Sequence, residues 1–349
     1  MRLEQRERTP VALAVGAPVA AVALSLALAV LPLWAAGAPI GPAFVAMVKG
    51  ALGSRFALSE TLTRATPLIL TGLAVVVAFR ARLWNIGAEG QLYLGAMAAV
   101  LVGSGAVVLS PVVMIPLVLV AGAAAGALLM LVPTLLKTRL GVDEVVTTLL
   151  LNFVVLLFVQ MMLEGPMQDP MSLGWPQSAP IIPEATLPPV LERTRVHAGL
   201  IVAIAAALVV WIMMERTVWG FEIRATGANP DAARFAGMRI GWIMVRVGLI
   251  SGALAGLAGV SEVAGLKGYL TRDLSPGFGY SGIAVAMLAQ LHPLGVLAAA
   301  FFVAAVFVGA DSMSRALGVS SYIANLIVAT ALLTMLLAGL VTRYRIRWR

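Results

Sequence analysis

A chain of 349 residues that is 61% hydrophobic and only 11% charged has too few polar side chains to surround a soluble core. Its net charge of +8 does not point to nucleic acid, because the basic residues are scattered at the ends of apolar runs, where positive flanks of membrane spans account for them. The lack of cysteine excludes disulfides, thiolate metal sites and a cysteine nucleophile.

Apolar runs recur along the chain, most of them long enough to cross a bilayer as a helix. The first runs from Val11 to about Ala36, after MRLEQRERTP. It is too long for the roughly 7–15 residues of a signal-peptide core, so it is read as span 1. The next spans are 62–79, 88–109, 112–136 and 145–163. Residues 165–197 follow with seven prolines, which predicts an extended external loop. The later spans are 198–214, 241–262, 279–291, 293–310 and 322–341. The eighth holds only 13 residues, and Pro293 interrupts the run after it. That pattern predicts a half-membrane or broken helix.

Ten crossings place both termini on one side. Segments 1–10, 80–84, 137–144, 215–240 and 342–349 hold 15 of the 24 lysines and arginines, the opposite segments hold 8, and Arg246 lies inside span 7. The bias predicts that both termini are cytoplasmic.

The longest inner loop contains ATGANPDAARFAGM, Ala225–Met238. Asn229 is a good N-cap, Pro230 suits the first helical position, and Asp231 faces the positive end of the helix dipole. Gly237 is a natural stop. The stretch predicts a self-capped helix of about two turns, on the order of 10 Å long.

Two stretches resemble each other. NIGAEGQLYLGAMAA begins at Asn85 and GFGYSGIAVAMLAQL at Gly277, so Gly87 and Gly90 align with Gly279 and Gly282. They open spans 3 and 8, and the odd offset of five crossings inverts one copy relative to the other. Inverted halves with broken helices at matching places are a transporter pattern. A half-helix that starts inside the membrane leaves backbone N–H groups that must line a cavity or be buried in protein. Asn85 can cap the first of these, and Glu89 sits in its first turn. Gly87, Gln91 and Gly95 share one face. Candidate pathway residues are therefore Asn85, Gly87, Glu89, Gly90, Gln91, Gly279, Ser281 and Gly282.

Plainer readings stand beside this one. The glycines serve packing or turns, as the GxxxG pairs Gly122/Gly126 and Gly252/Gly256 do. Glu89 pairs with Arg80 or Arg82. Asn152 and Gln160 make interhelical hydrogen bonds.

The chain has no G-x-x-x-x-G-K-[ST] phosphate cradle and no H-E-x-x-H metal motif. Gly279-Tyr280-Ser281-Gly282 imitates the G-x-S-G of intramembrane serine proteases, and His292 follows. If one helix joins Ser281 to His292 they are about 16 Å apart, too far for a nucleophile and its base. No catalytic and no metal-binding residue is assigned.

LWNIGAEGQLYLGAMAA and EIRATGANPDAARFAGM resemble the permeases of ATP-binding-cassette importers, in the ribose, galactoside and nucleoside branch. The likeness is closest to nucleoside permeases that work with lipoproteins of the basic membrane protein family, and it spans about residues 60–341. It implies an all-α polytopic fold of the type II importer kind, one transmembrane domain over 1–349. The ten spans would form two inverted five-span repeats, with halves at about 11–163 and 198–341, the proline-rich loop 165–197 outside, and a coupling segment 215–240 inside. The coupling helix would be Asn229–Gly237. Arg224, Gly227, Asn229, Pro230, Ala233, Phe235 and Gly237 would couple to the ATPase, with Phe235 and Met238 as apolar anchors.

The resemblance also implies a transport subunit with no enzymatic site and no cofactor of its own, since ATP is used by the partner. The ATPase can be one chain with two fused cassettes. Further partners would be a second permease of different sequence, an external substrate-binding lipoprotein and the lipid bilayer of a bacterial inner membrane. Transport would proceed by alternating access, with a nucleoside as substrate and a pentose or hexose as runner-up. The competing readings are a self-sufficient secondary carrier or channel, disfavoured by the scarcity of intramembrane acids, and an intramembrane serine protease.

Overall fold

Inside a bilayer the backbone finds no water, so apolar runs must satisfy their own N–H and C=O groups as helices. A computed structural model describes residues 2–5 and 11–347. Arg6, Arg8 and Arg349, three of the expected basic flanks, lie outside the described residues.

The helices are α1 (Val11–Ala35), α2 (Ile40–Leu52), α3 (Arg55–Arg80), α4 (Ala88–Gly103), α5 (Pro111–Leu140), α6 (Glu144–Leu163), α7 (Gly199–Arg216), α8 (Val218–Ala228), α9 (Pro230–Phe235), α10 (Ile240–Glu262), α11 (Phe278–Leu288), α12 (Gly295–Leu317) and α13 (Ser321–Arg343). Each expected span overlaps one of them. Among the described residues, six helices are long and apolar enough to cross a membrane: α3, α5, α6, α7, α12 and α10 with its π-helical continuation Val263–Lys267. α4 and α11 have 16 and 11 residues, short of the roughly 20 that span a bilayer.

Two helices were not expected. α2 lies between the first two expected spans, and α8 precedes the predicted coupling helix. A short ribbon departs from the all-α expectation: β1 (Arg2–Gln5) pairs antiparallel with β2 (Tyr344–Arg347).

The chain divides into two units, one made of residues 1–64 and 301–349, the other of 65–300. In the first, α1 packs along α13, and the ribbon holds both ends of the described chain together. Gly50 lies so close to Ser312 that a Cβ would fall 2.1 Å from its side chain. Arg64 and Asp311 form an ion pair at 2.9 Å, so two charges near the ends of apolar runs neutralise each other.

In the second unit every residue of α3 from 65 to 79 is buried. Glycines bring α4, α5 and α10 into backbone contact. A Cβ on Gly126 would lie 2.2 Å from the Gly252 oxygen, one on Gly256 2.2 Å from the Gly122 oxygen, and one on Gly95 2.3 Å from the Gly256 oxygen. The GxxxG pairs therefore serve packing, as their plainer reading held.

The proline-rich loop has no α-helix, only 3-10 turns at Pro170–Ser172 and Pro183–Ala185. It is stitched to the segment that follows α10. The Ser178 amide donates to the Leu270 oxygen at 2.9 Å, Ile181 to Gly268 at 2.8 Å, and Leu187 to Ala264 at 2.7 Å.

Candidate functional site

The segment expected to couple holds two helices, α8 and α9, joined by one residue. Thr217, at φ −121° and ψ 161°, leaves the line of α7 and caps α8, its hydroxyl oxygen accepting from the Gly220 amide. Gly220 is required because a Cβ would lie 2.2 Å from the Met214 oxygen. Asn229 then ends one helix and starts the next. Its amide donates to Ala225 at 3.0 Å, and its Oδ1 accepts from the Asp231 and Ala232 amides at 3.0 and 3.1 Å.

α9 closes at its other end with a Schellman motif. The Met238 amide donates to the Ala233 oxygen and the Gly237 amide to Arg234, both at 3.0 Å, with Gly237 at φ +83°. Each cap was legible in the sequence, and the helix between them is Pro230–Phe235 rather than 229–237.

The segment turns one face outward and anchors the other. Phe235 is 97% exposed, while Ala233 is buried beneath it. α8 is fastened to α10: Arg246 donates to Glu222 at 2.7 Å and lies over the Trp219 ring at 5.1 Å. Gly227 presses on the end of α3, where a Cβ would lie 1.9 Å from the Arg80 oxygen. Arg224 is 3.9 Å from Glu215, too long for a hydrogen bond. An open groove of about 620 Å³ runs beside α9, lined by Glu222, Ala236, Gly237, Met238, Arg239, Trp242 and Arg246.

The eight candidate pathway residues form one buried knot where α4 and α11 begin. A Cβ on Gly279 would lie 2.2 Å from the Glu89 nitrogen, so the two short helices start in backbone contact. The Glu89 carboxylate accepts from the Gly279 amide at 2.6 Å. It thus serves the start of α11 as well as sitting in the first turn of α4.

Asn85 and Gln91 exchange two amide hydrogen bonds, each 2.9 Å. Asn85 also accepts from Gly87 and donates to Ser251, both at 2.9 Å. The other half of the cap comes from α6, where Asn152 accepts from Gly90 at 2.8 Å and donates to the Ile86 oxygen at 2.9 Å and the Tyr280 hydroxyl at 3.2 Å. Gly282 sits against Thr71 of α3, a Cβ there lying 2.7 Å from its hydroxyl. Asn85, Glu89, Gln91 and Ser281 are all buried.

Gln160 bonds to Glu164 one turn on, not across helices as its sequence reading had it. Ser281 and His292 are not on one helix, because α11 ends at Leu288 and Gln290 and Leu291 have positive φ.

The two sites are connected. Arg80, on whose carbonyl Gly227 rests, donates from Nε to the Leu291 oxygen at 3.1 Å, just beyond the end of α11. The other end of α11 is the Gly279–Glu89 contact. The polytopic helical chain thus ties a capped, exposed cluster of short helices to the buried starts of α4 and α11.

Residues 57–342 match the family described as the permease component of the branched-chain amino acid transport system. The chain belongs to this family, the permease subunits of ATP-binding-cassette importers. It is 38% identical to the glucose ABC transporter permease protein TsgB13 of Haloferax volcanii, covering 99% of this chain and 93% of the relative. Two guanosine ABC transporter permease proteins of Bacillus subtilis also match. NupP is 35% identical over 90% of this chain and 91% of its own length, and NupQ 32% identical over 69% and 77%. No solved structure matches the chain. In such importers the ATPase is a separate subunit and a binding protein presents the substrate, so this chain is not itself an enzyme.

Proposed function

We propose that this permease moves a nucleoside into the cytoplasm by alternating access, with α8 and α9 as the element through which the ATPase acts. The observation that carries the mechanism is the seat of Gly227 on the Arg80 carbonyl, with Arg80 in turn holding Leu291. A push on α9 passes through rigid, doubly capped helices to the end of α3 and to α11. Arg224, Gly227, Asn229, Pro230, Ala233, Phe235 and Gly237 are the coupling residues, and exposed Phe235 is the anchor that enters the ATPase.

The eight residues of the α4–α11 knot then act as the closed seam that rocking would load, rather than as an open lining in this conformation. Ten crossings in two inverted halves accommodate the paired short helices, and the charge bias favours cytoplasmic termini. That two different guanosine permeases of one organism resemble this chain supports a second permease of different sequence beside it. The ATPase with two fused cassettes and the binding lipoprotein rest on the family resemblance alone.

The nucleoside reading leans on the guanosine relatives, and the glucose relative supports a simple sugar as the second reading. Uptake of labelled guanosine and glucose into liposomes holding the permeases, the ATPase and the binding protein decides between them. ATP-dependent guanosine uptake that excess glucose does not compete is the expected result. ATP-dependent glucose uptake alone establishes the sugar reading, and accumulation of either solute without ATP refutes the importer mechanism.

A further inference from the structure

We infer that the cleft between α5 and α10, at the end where α9 emerges, is a binding site for one anionic phospholipid of the cytoplasmic leaflet. α5 and α10 run antiparallel, with Gly126 against Gly252 and Thr134 against Gly248. Beside that close contact, along 131–139 of α5 and 241–249 of α10, an open cleft of about 450 Å³ runs between the two helices. Its walls are two matching stripes, Leu131 and Leu135 on α5 and Val245 and Leu249 on α10. Each stripe leads at the same four-residue spacing to the cleft mouth, to Arg139 on α5 and Gly241 on α10.

Eight residues of helix rise about 12 Å, most of the roughly 15 Å depth of one hydrocarbon leaflet. The cleft therefore has the length and the chemistry of an acyl chain's path, not of a polar solute's.

The mouth has the chemistry of a headgroup site. Trp242 borders both the cleft and the groove beside α9 and is 64% exposed, the placement indoles take at the membrane surface. Arg139 lines the cleft and Arg239 the groove. Both are exposed, and neither forms an ion pair among the described residues. Arg246 adds a third cation to the groove but is already paired with Glu222. Two unpaired guanidinium groups above an apolar slot match a phosphodiester above an acyl chain, since arginine binds phosphate oxygens in a two-pronged geometry. Basic pockets between helices at the cytoplasmic face hold such headgroups. A zwitterionic lipid would bring its own cation to this positive mouth and gain less.

The test uses the assembled transporter in mixed micelles, with native mass spectrometry of lipid retained from equal amounts of dioleoylphosphatidylglycerol and dioleoylphosphatidylcholine. Wild type should retain the glycerol lipid preferentially. Arg139→Gln and Arg239→Gln should each weaken that preference by about fivefold. Gly241→Leu should evict both lipids, since a Cβ at Gly241 meets nothing within 4 Å and a longer side chain can enter the cleft without forcing the helices apart.

Equal retention of the two lipids by wild type overturns the inference, as does unchanged retention by Gly241→Leu. The chain has no cysteine, so Val245→Cys carries a benzophenone at a single place on it. A phospholipid adduct supports the site. An adduct to the second permease or to the ATPase shows that protein covers the cleft and overturns the proposal.

Discussion

Gly227→Ala should separate ATP hydrolysis from transport. The added Cβ would lie 1.9 Å from the Arg80 oxygen, where ordinary contact begins near 3.4 Å. α8 or the end of α3 must therefore move by about 1.5 Å, the difference between those two distances. Overpacking of this kind costs about 1–3 kcal/mol. If that cost falls on the balance between inward-facing and outward-facing states, it changes the balance by about 5–150-fold. The 3.1 Å bond from Arg80 to Leu291 would be stretched in the same movement. The Asn229 cap and exposed Phe235 are untouched, so the ATPase still docks. Uptake and phosphate release should be measured on the same proteoliposomes, with Gly41→Ala as the control because its Cβ is unobstructed. The expected result is hydrolysis near wild type with uptake reduced by at least the lower figure. Wild-type uptake, or loss of uptake and hydrolysis together, refutes transmission through this contact.

Asn229→Ala removes the acceptor of two amides and should destabilise α9 by about 1 kcal/mol. Hydrogen exchange at Asp231 and Ala232 should speed up, with Asn229→Asp restoring protection; unchanged exchange in the alanine variant contradicts the cap. Glu89→Leu leaves the buried Gly279 amide without its carboxylate and should cost about 1–3 kcal/mol, whereas Glu89→Gln keeps an acceptor and should cost about 1 kcal/mol or less. Unfolding in detergent compares them, and equal losses would mean that packing rather than the hydrogen bond holds the seam. His197 is buried at the end of the proline-rich loop with its ring against Gly265 and Gly199, and burial lowers its pKa to about 4. As pH falls the unfolded chain takes up the proton first, near pH 6.5. Stability present above that pH should therefore drain away down to about pH 4, by up to ~3 kcal/mol. The thermal midpoint of His197→Gln should depend less on pH over this window than that of wild type, and equal slopes would remove His197 as the cause.

What the sequence shows of this molecule is what depends on neighbours along the chain. Apolar length gives the spans, and the two caps of α9 follow from Asn229, Pro230 and Gly237 because each acts within a few residues. α8 stayed hidden since Gly220 and Gly227 look like helix breakers. Their reason lies in the Met214 and Arg80 carbonyls that press against them, a tertiary fact with no local signal. α2 escaped because Gly41, Pro42, Lys49 and Gly50 interrupt the apolar run of its 13 residues. In the knot, sequence found the participants and missed their assignments. Asn85 was a visible cap, but Asn152 supplies the Gly90 bond from 62 positions away. Glu89 was judged by its own helix, whose dipole favours it, while its carboxylate serves the helix that begins at Phe278.

That crossed assignment bears on how a push can travel. Had Glu89 served only its own helix, the starts of α4 and α11 would be joined by one buried polar contact fewer, leaving those through Tyr93 and Asn152. With Glu89 serving α11, separation exposes the Gly279 amide and a carboxylate at once, each costly away from water. The seam is therefore biased toward two arrangements, made or fully hydrated, rather than a graded series. α11 has only 11 residues, about 16 Å of helix, with Arg80 holding the chain just past its far end. A helix so short has little length over which to bend, so a displacement at Leu291 must either reach Gly279 or break the Arg80 bond. A longer, uncapped helix in this place could absorb the same displacement along its turns, and the shortness of α11 is what denies the chain that escape.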